Sequence, residues 1–170
     1  MRRIIQLLVL LILFTKLFAQ DCDKYITINE DKTTHSKTFS GNDFITILSN
    51  GDTTLKLLTL LIKDQKTLIL SLNAAKKIKY IDPADEIHFF FDDNTKYTST
   101  GNQDFNCEGA LSIYFGELRG NDGLLKLLVA KKVKAIRLYC RSGVLDVGLS
   151  AENSDELKKE INCLSNLSRK

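Results

Sequence analysis

The chain opens Met1, Arg2, Arg3, runs apolar from Ile4 to Phe14 with only Gln6 interrupting, and then passes through Thr15-Lys16-Leu17-Phe18 to Ala19-Gln20. A charged start, a short apolar stretch and a small residue are the three parts of a cleavable secretory signal, so residues 1–19 are expected to be removed after Ala19. The apolar run falls well short of the roughly 20 residues a membrane-spanning helix needs, and no later run reaches that length. No transmembrane segment is therefore expected after cleavage. A lipid anchor on Cys22 would need small residues directly before the cysteine, whereas Gln20-Asp21 stand there. This leader constrains the fold more than any other feature, because it sends the remainder to a secreted or periplasmic compartment where thiols meet oxidants.

Four cysteines, Cys22, Cys107, Cys140 and Cys163, lie beyond the leader. An even number in an oxidising compartment reads as two disulfides, and four cysteines allow three pairings. Joining Cys22 to Cys163 and Cys107 to Cys140 is the pairing that ties the two ends together. No C-x-x-C or H-x-x-x-H pair accompanies them, which argues against a zinc site, and neither a metal nor another cofactor is expected. Removing the leader also takes away Arg2, Arg3 and Lys16 but no acidic residue, leaving 21 basic against 21 acidic side chains. A neutral chain has no charge excess with which to hold phosphate backbones, so nucleic acid is excluded as an expected partner.

Residues 20–43 are polar and threonine-rich and read as an extended N-terminal arm, with Tyr25 to Ile28 as a short strand. The pattern changes at Phe44, where residues 44–170 are expected to form one domain. Phe44 to Ser49 is β-branched and aromatic, Asn50-Gly51 readily takes positive φ at both turn positions, and Thr53 to Ile62 continues apolar, which spells a hairpin. Asp64-Gln65 offers a second reversal and Thr67 to Leu72 a third strand. Leu55 to Ile62 alone is also compatible with helix, because leucine is a good helix former, but the flanking threonines favour strand.

Pro83 sits in a connector from Asn73 to Glu86. Ile87 to Phe91 then reads as an apolar strand, Asp92-Asp93-Asn94 as a turn and Lys96 to Thr100 as a polar returning strand. A Gly-, Asn- and Asp-rich loop leads through Cys107 to another strand from Ala110 to Phe115. Asn121-Asp122 can cap a helix through Lys132, Val133 to Arg141 and Val144 to Leu149 flank Ser142-Gly143 as a second hairpin, and Ser150 or Asn153 caps a final helix with Leu157, Ile161 and Leu164 at helical spacing. Together these predict an α+β domain: an antiparallel sheet of hairpins with two helices packed on one face.

The densest polar cluster is Asp82, Asp85, Glu86 and His88, with Asp92 and Asp93 just beyond. A functional reading makes His88 a base or metal ligand positioned by neighbouring carboxylates. Strand alternation, however, turns His88 and Phe90 away from Ile87, Phe89 and Phe91, which favours a structural histidine. Asp92-Asp93-Asn94 lacks the spaced oxygens and the glycine of a calcium loop. His35, in Thr33-Thr34-His35-Ser36, has no serine elbow to serve, and Gly116, Gly120 and Gly123 form no phosphate loop. Arg137, Tyr139 and Arg141 share one strand face, while Ile136, Leu138 and Cys140 share the other, so the arginine-tyrosine stripe is the candidate contact surface. Asn166-Leu167-Ser168 is a glycosylation sequon.

The Leu17-Phe18-Ala19-Gln20 ending followed by a small lysine-, asparagine- and isoleucine-rich domain resembles exported proteins of Bacteroidota with no assigned activity. The closing pattern, from Leu127 to Lys132 through Val133-Lys134-Ala135-Ile136-Arg137-Leu138 to a capped helix ending at Cys163-Leu164, is similar to the same group. The resemblance implies periplasm or cell surface and brings no catalytic residue with it. The expected function is a non-catalytic binding module of the cell envelope that meets an envelope or extracellular protein. A hydrolase built around His88, Glu86 and Asp92 is the first alternative, and an inhibitor or immunity-type partner protein is the second.

Overall fold

A computed structural model describes residues 22–42, 44–48, 54–74, 86–99, 103–105, 110–115, 121–140 and 143–169. They form an α+β arrangement. Where a single sheet of hairpins is expected, the strands divide between two antiparallel sheets, one of seven strands and one of four.

The larger sheet holds β1 (Ile26–Glu30), β2 (Lys37–Gly41), β3 (Ile45–Leu48), β4 (Thr54–Ile62), β5 (Thr67–Ala74), β8 (Gln103–Phe105) and β9 (Ala110–Phe115). Its order is β1-β2-β4-β5-β9-β8, with β3 also on β4. The expected meander is present: Ile45 pairs with Leu57, Leu48 with Thr54, and Leu61 with Leu68. Leu55 to Ile62 is strand, and the second reversal is a 3-10 turn over Lys63–Gln65 that ends on Lys66 in the left-handed region. The segment expected as an extended arm supplies β1 and β2, whose Ile26 and Phe39 are buried in the core. Strands β2 and β3 lie along the same edge of β4. Between the pairs Ser40 with Leu60 and Ile45 with Leu57, five steps on that edge face three on β4, so the two behave as one interrupted strand. Strand β8 stands where the Gly-, Asn- and Asp-rich composition predicts a loop.

The smaller sheet holds β6 (Ile87–Phe91), β7 (Lys96–Ser99), β10 (Val133–Cys140) and β11 (Gly143–Gly148), in the order β11-β10-β6-β7. Both expected hairpins are there. Asn94 carries the positive φ of the β6–β7 turn, and Cys140 pairs with Gly143 across the β10–β11 turn.

Helix α1 spans Asp122–Ala130 and helix α2 spans Ala151–Ser168. Asn121 precedes α1 but does not cap it with its side chain. Its amide instead donates to the Tyr114 carbonyl and its oxygen accepts from Ser99, fastening the helix start to both sheets. Ser150 caps α2 as expected, accepting from the Asn153 N–H at 3.1 Å.

Helix α2 contacts strands of both sheets and lies against α1. Its Leu157, Ile161 and Leu164 are fully buried among Leu57, Leu70, Ile113, Phe89, Ile136 and Leu138, so one apolar stripe joins the inner faces of two sheets. Polar side chains of the helix extend the same linkage. Asn153 donates to the Thr46 carbonyl of the larger sheet, and Ser154 donates to the Val133 carbonyl of the smaller one. Glu160, 1 % exposed, accepts from Thr59 at 2.7 Å. A Cβ at Gly41 would fall against this carboxylate, so the glycine on β2 is what lets Glu160 reach in.

Cys163, with no exposed surface, is bonded to Cys22. The expected bridge between the two ends is therefore present. Cys107 lies outside the described residues, as does the side chain of Cys140. Closing a segment of 141 residues removes conformational freedom from the unfolded chain, a contribution of up to about 5 kcal/mol in the chain-entropy picture. Replacing Cys22 and Cys163 together with serine is expected to lower the unfolding free energy by roughly 2 to 5 kcal/mol in urea titration. An unchanged midpoint would show that the bridge does not hold the ends.

Candidate binding face

The outer face of the four-stranded sheet follows from strand alternation and hairpin register. Ile87, Phe89, Phe91, Ile136, Leu138 and Val147 point to the core, so their neighbours point away from it. Register lines those neighbours up in rows. Gly148, Ala135, Phe90 and Lys96 form one row, and Asp146, Arg137, His88 and Thr98 form the next. Val144 and Tyr139 begin a third, closed by the Tyr139 N–H donating to the Glu86 carbonyl.

Arg137 is the centre of this array. Its Nε and Nη2 donate to the two carboxylate oxygens of Asp146 at 2.5 and 2.9 Å, the fork geometry that makes an arginine-carboxylate pair directional. The guanidinium also lies 5.6 Å from the Phe90 ring centroid. Bonding to Asp146 first, and to Tyr139 second, pushes the Arg137 pKa further up, while bonding from Arg137 pulls that of Asp146 down. The side chains are 38 % and 60 % exposed, so water screens the pair and its service is to orient Arg137 more than to stabilise the fold.

His88 belongs to the same face, yet it is only 4 % exposed. Its Nε2 lies 2.7 Å from Glu86 Oε2, and its ring stands edge-on to Tyr139 at 4.8 Å. Among the described residues Nδ1 has no hydrogen-bond partner. Two of the three residues of the hydrolase reading thus meet. The third does not: Asp92 sits beyond the other end of β6, where its N–H donates to the Lys132 carbonyl. Asp93 holds Lys131 at 2.6 Å, and the Lys131 ammonium keeps its carboxyl well below the ordinary aspartate range. Two grooves flank this end of the sheet, and neither is lined by His88 or Glu86.

The remaining sequence candidates fall elsewhere. Arg141, Asp82, Asp85, Gly116 and Gly120 lie outside the described residues. His35 is exposed, with its Nδ1 3.4 Å from Glu30 Oε1. Asn166 of the sequon is exposed near the end of α2. Among the described residues no group of three or more His, Cys, Asp or Glu could hold a metal ion, and no helix is long and apolar enough to cross a membrane.

Sequence reasoning placed Arg137 and Tyr139 on one face but missed Asp146. The sequence reading sets the turn at Ser142-Gly143, a register that would put 148 rather than 146 opposite 137, whereas Cys140 pairs with Gly143 and Arg137 with Asp146. It also missed Lys134, because nothing in the residue pattern marks a bulge there.

The fold is an α+β one, and the candidate face is a solvent-side sheet face on which an oriented arginine stands among aromatic rings. No protein family, no curated protein and no solved structure matches the chain.

The Arg137 pair makes a defined titration. The Asp146 carboxyl is expected to protonate below the ordinary aspartate range in a carboxyl-carbon NMR titration, and to return to that range in Arg137→Gln. A carboxyl whose folded pKa is depressed contributes stability above its unfolded pKa and loses it as pH falls through the folded value. The small contribution of this pair therefore fades only in acid, and identical Asp146 titrations in both proteins would contradict the fork.

Proposed function

We propose that the protein is a non-catalytic binding module that acts outside the cytoplasm, in the envelope or secreted, and meets an envelope or extracellular protein through the outer face of its four-stranded sheet. The observation that carries this reading is the oriented row Asp146-Arg137-His88 flanked by Tyr139 and Phe90. Arginine and aromatic side chains are the residues that dominate protein contact surfaces, because they offer large area and directional bonds at modest entropic cost. Val144, an apolar side chain 57 % exposed at the edge of the same face, extends it. The leader over residues 1–19 and the Cys22–Cys163 bridge support an oxidising compartment.

The hydrolase reading has less to work with. A general base must reach the proton it removes. His88 is buried, tied to Glu86 and separated from Asp92, and it lines neither of the two grooves found among the described residues.

A photo-crosslinking residue placed at Val144 tests the proposal against the same residue placed at Ile28, an equally exposed apolar position on the edge strand β1 of the other sheet. In the native host a discrete adduct is expected from Val144 and none from Ile28. Adducts from Ile28 alone, or equal unspecific labelling from both, would overturn the assignment of this face.

A further inference from the structure

The β10–β6 pairing contains a bulge. Val133 pairs with Phe91 and Ala135 with Phe90, so two steps on β10 face one on β6 and Lys134 is the extra residue. The consequence for side chains is specific. Val133 and Ile136 are both buried on the inner face, which leaves Lys134 and Ala135 both turned outward. Without the bulge, alternation would have put one of them inside. Bulges that re-aim a side chain in this way recur beside binding sites.

The outcome is a groove of about 380 Å³ on the outer face. Gly148 and Ala135 give it a floor almost without side chains, and the half-buried ring of Phe90 forms a flat apolar wall. Lys134, Arg137 and Asn94 also line it. Lys134 is exposed and has no ion pair among the described residues, while Arg137 is balanced by Asp146. The groove therefore carries one uncompensated positive charge. The Asp146 fork uses only part of the guanidinium, so further N–H donors of Arg137 remain for a ligand.

We infer that this groove is a binding site for a small monocarboxylate attached to a flat apolar group, with the carboxylate taken by Lys134 and Arg137 and the flat group laid against Phe90 over Gly148 and Ala135. One net positive charge matches one carboxylate, and the Asp146 carboxylate on the same wall opposes a dianion such as a phosphate monoester. A volume of this order suits a small molecule held by an apolar wall and a few placed polar groups. The groove shares Arg137, Asp146 and Phe90 with the protein-contact face, but the inference does not rest on that reading, since Lys134 and the Gly148-Ala135 floor decide it.

The probe is benzoylglycine, titrated into the oxidised protein and followed by amide NMR. Saturable shifts centred on Phe90, Ala135 and Gly148 are expected. Benzoylglycine amide should bind at least about tenfold more weakly, and Lys134→Gln should weaken benzoylglycine by about the same factor, the scale of losing one charge-assisted contact. A Cβ at Gly148 meets nothing within 4 Å, so Gly148→Leu fills the groove from an open position and should abolish the shifts. Lys134 is exposed, so its replacement keeps the fold and decides the matter should Gly148→Leu disturb it. Equal affinity for the acid and the amide, an unaffected Lys134→Gln, or tighter binding of phenyl phosphate than of benzoylglycine would each overturn the inference. The crosslinking result at Val144 stands or falls without it.

Discussion

Burial of one helix between two sheets is the constraint on which the rest of the structure depends. Each sheet has an inner apolar face that must be covered, and α2 meets both with Leu157, Ile161 and Leu164. Three of its polar side chains bond to strands: Asn153 and Glu160 to the larger sheet, Ser154 to the smaller. The Cys22–Cys163 bridge then anchors the helix near its C-terminal end to the turn that precedes β1. A helix held so closely requires room, which explains why a glycine occupies position 41 opposite the Glu160 carboxylate.

With the inner face of the smaller sheet committed to α2, its outer face is free to be polar, and register does the rest. Arg137 stands opposite Asp146 through the β10–β11 hairpin and opposite His88 through the long-range pairing of β10 with β6, not through any local preference of those residues. The pair is bonded, yet remains in water, so it contributes orientation at little cost in desolvation. His88 illustrates the opposite balance. It is buried beside Tyr139 with one nitrogen on Glu86, so the carboxylate and the aromatic ring together fix its orientation.

Much of the fold is legible in the residues because its strands are apolar and β-branched and its turns are marked. Asn50-Gly51 announces the β3–β4 hairpin, the Val133–Leu149 region shows its two faces, and Ser150 announces α2. The division into two sheets is not legible, because alternation says which face of a strand is buried but not which strand lies next to it. The role of β1 and β2 was hidden for a related reason: their side chains are mostly polar, and only Ile26 and Phe39 reveal burial that is realised by distant β4 and α2. Strand β8 is short and lies in a Gly-, Asn- and Asp-rich stretch that carries loop composition. At the candidate face, Arg137 and Tyr139 were visible by spacing, whereas the Lys134 bulge depends on Val133 and Ile136 both being drawn inward, a tertiary demand that leaves no local trace.

The claim that α2 binds the two sheets into one cooperative unit is tested most directly by native-state hydrogen exchange of Ile161→Ala. Truncating this fully buried side chain should destabilise by roughly 2 to 5 kcal/mol. If the helix is the shared core, the amides of β5 in the larger sheet and of β10 in the smaller one lose protection together and by the same free energy. Loss confined to one sheet, with the other unchanged, would contradict the account.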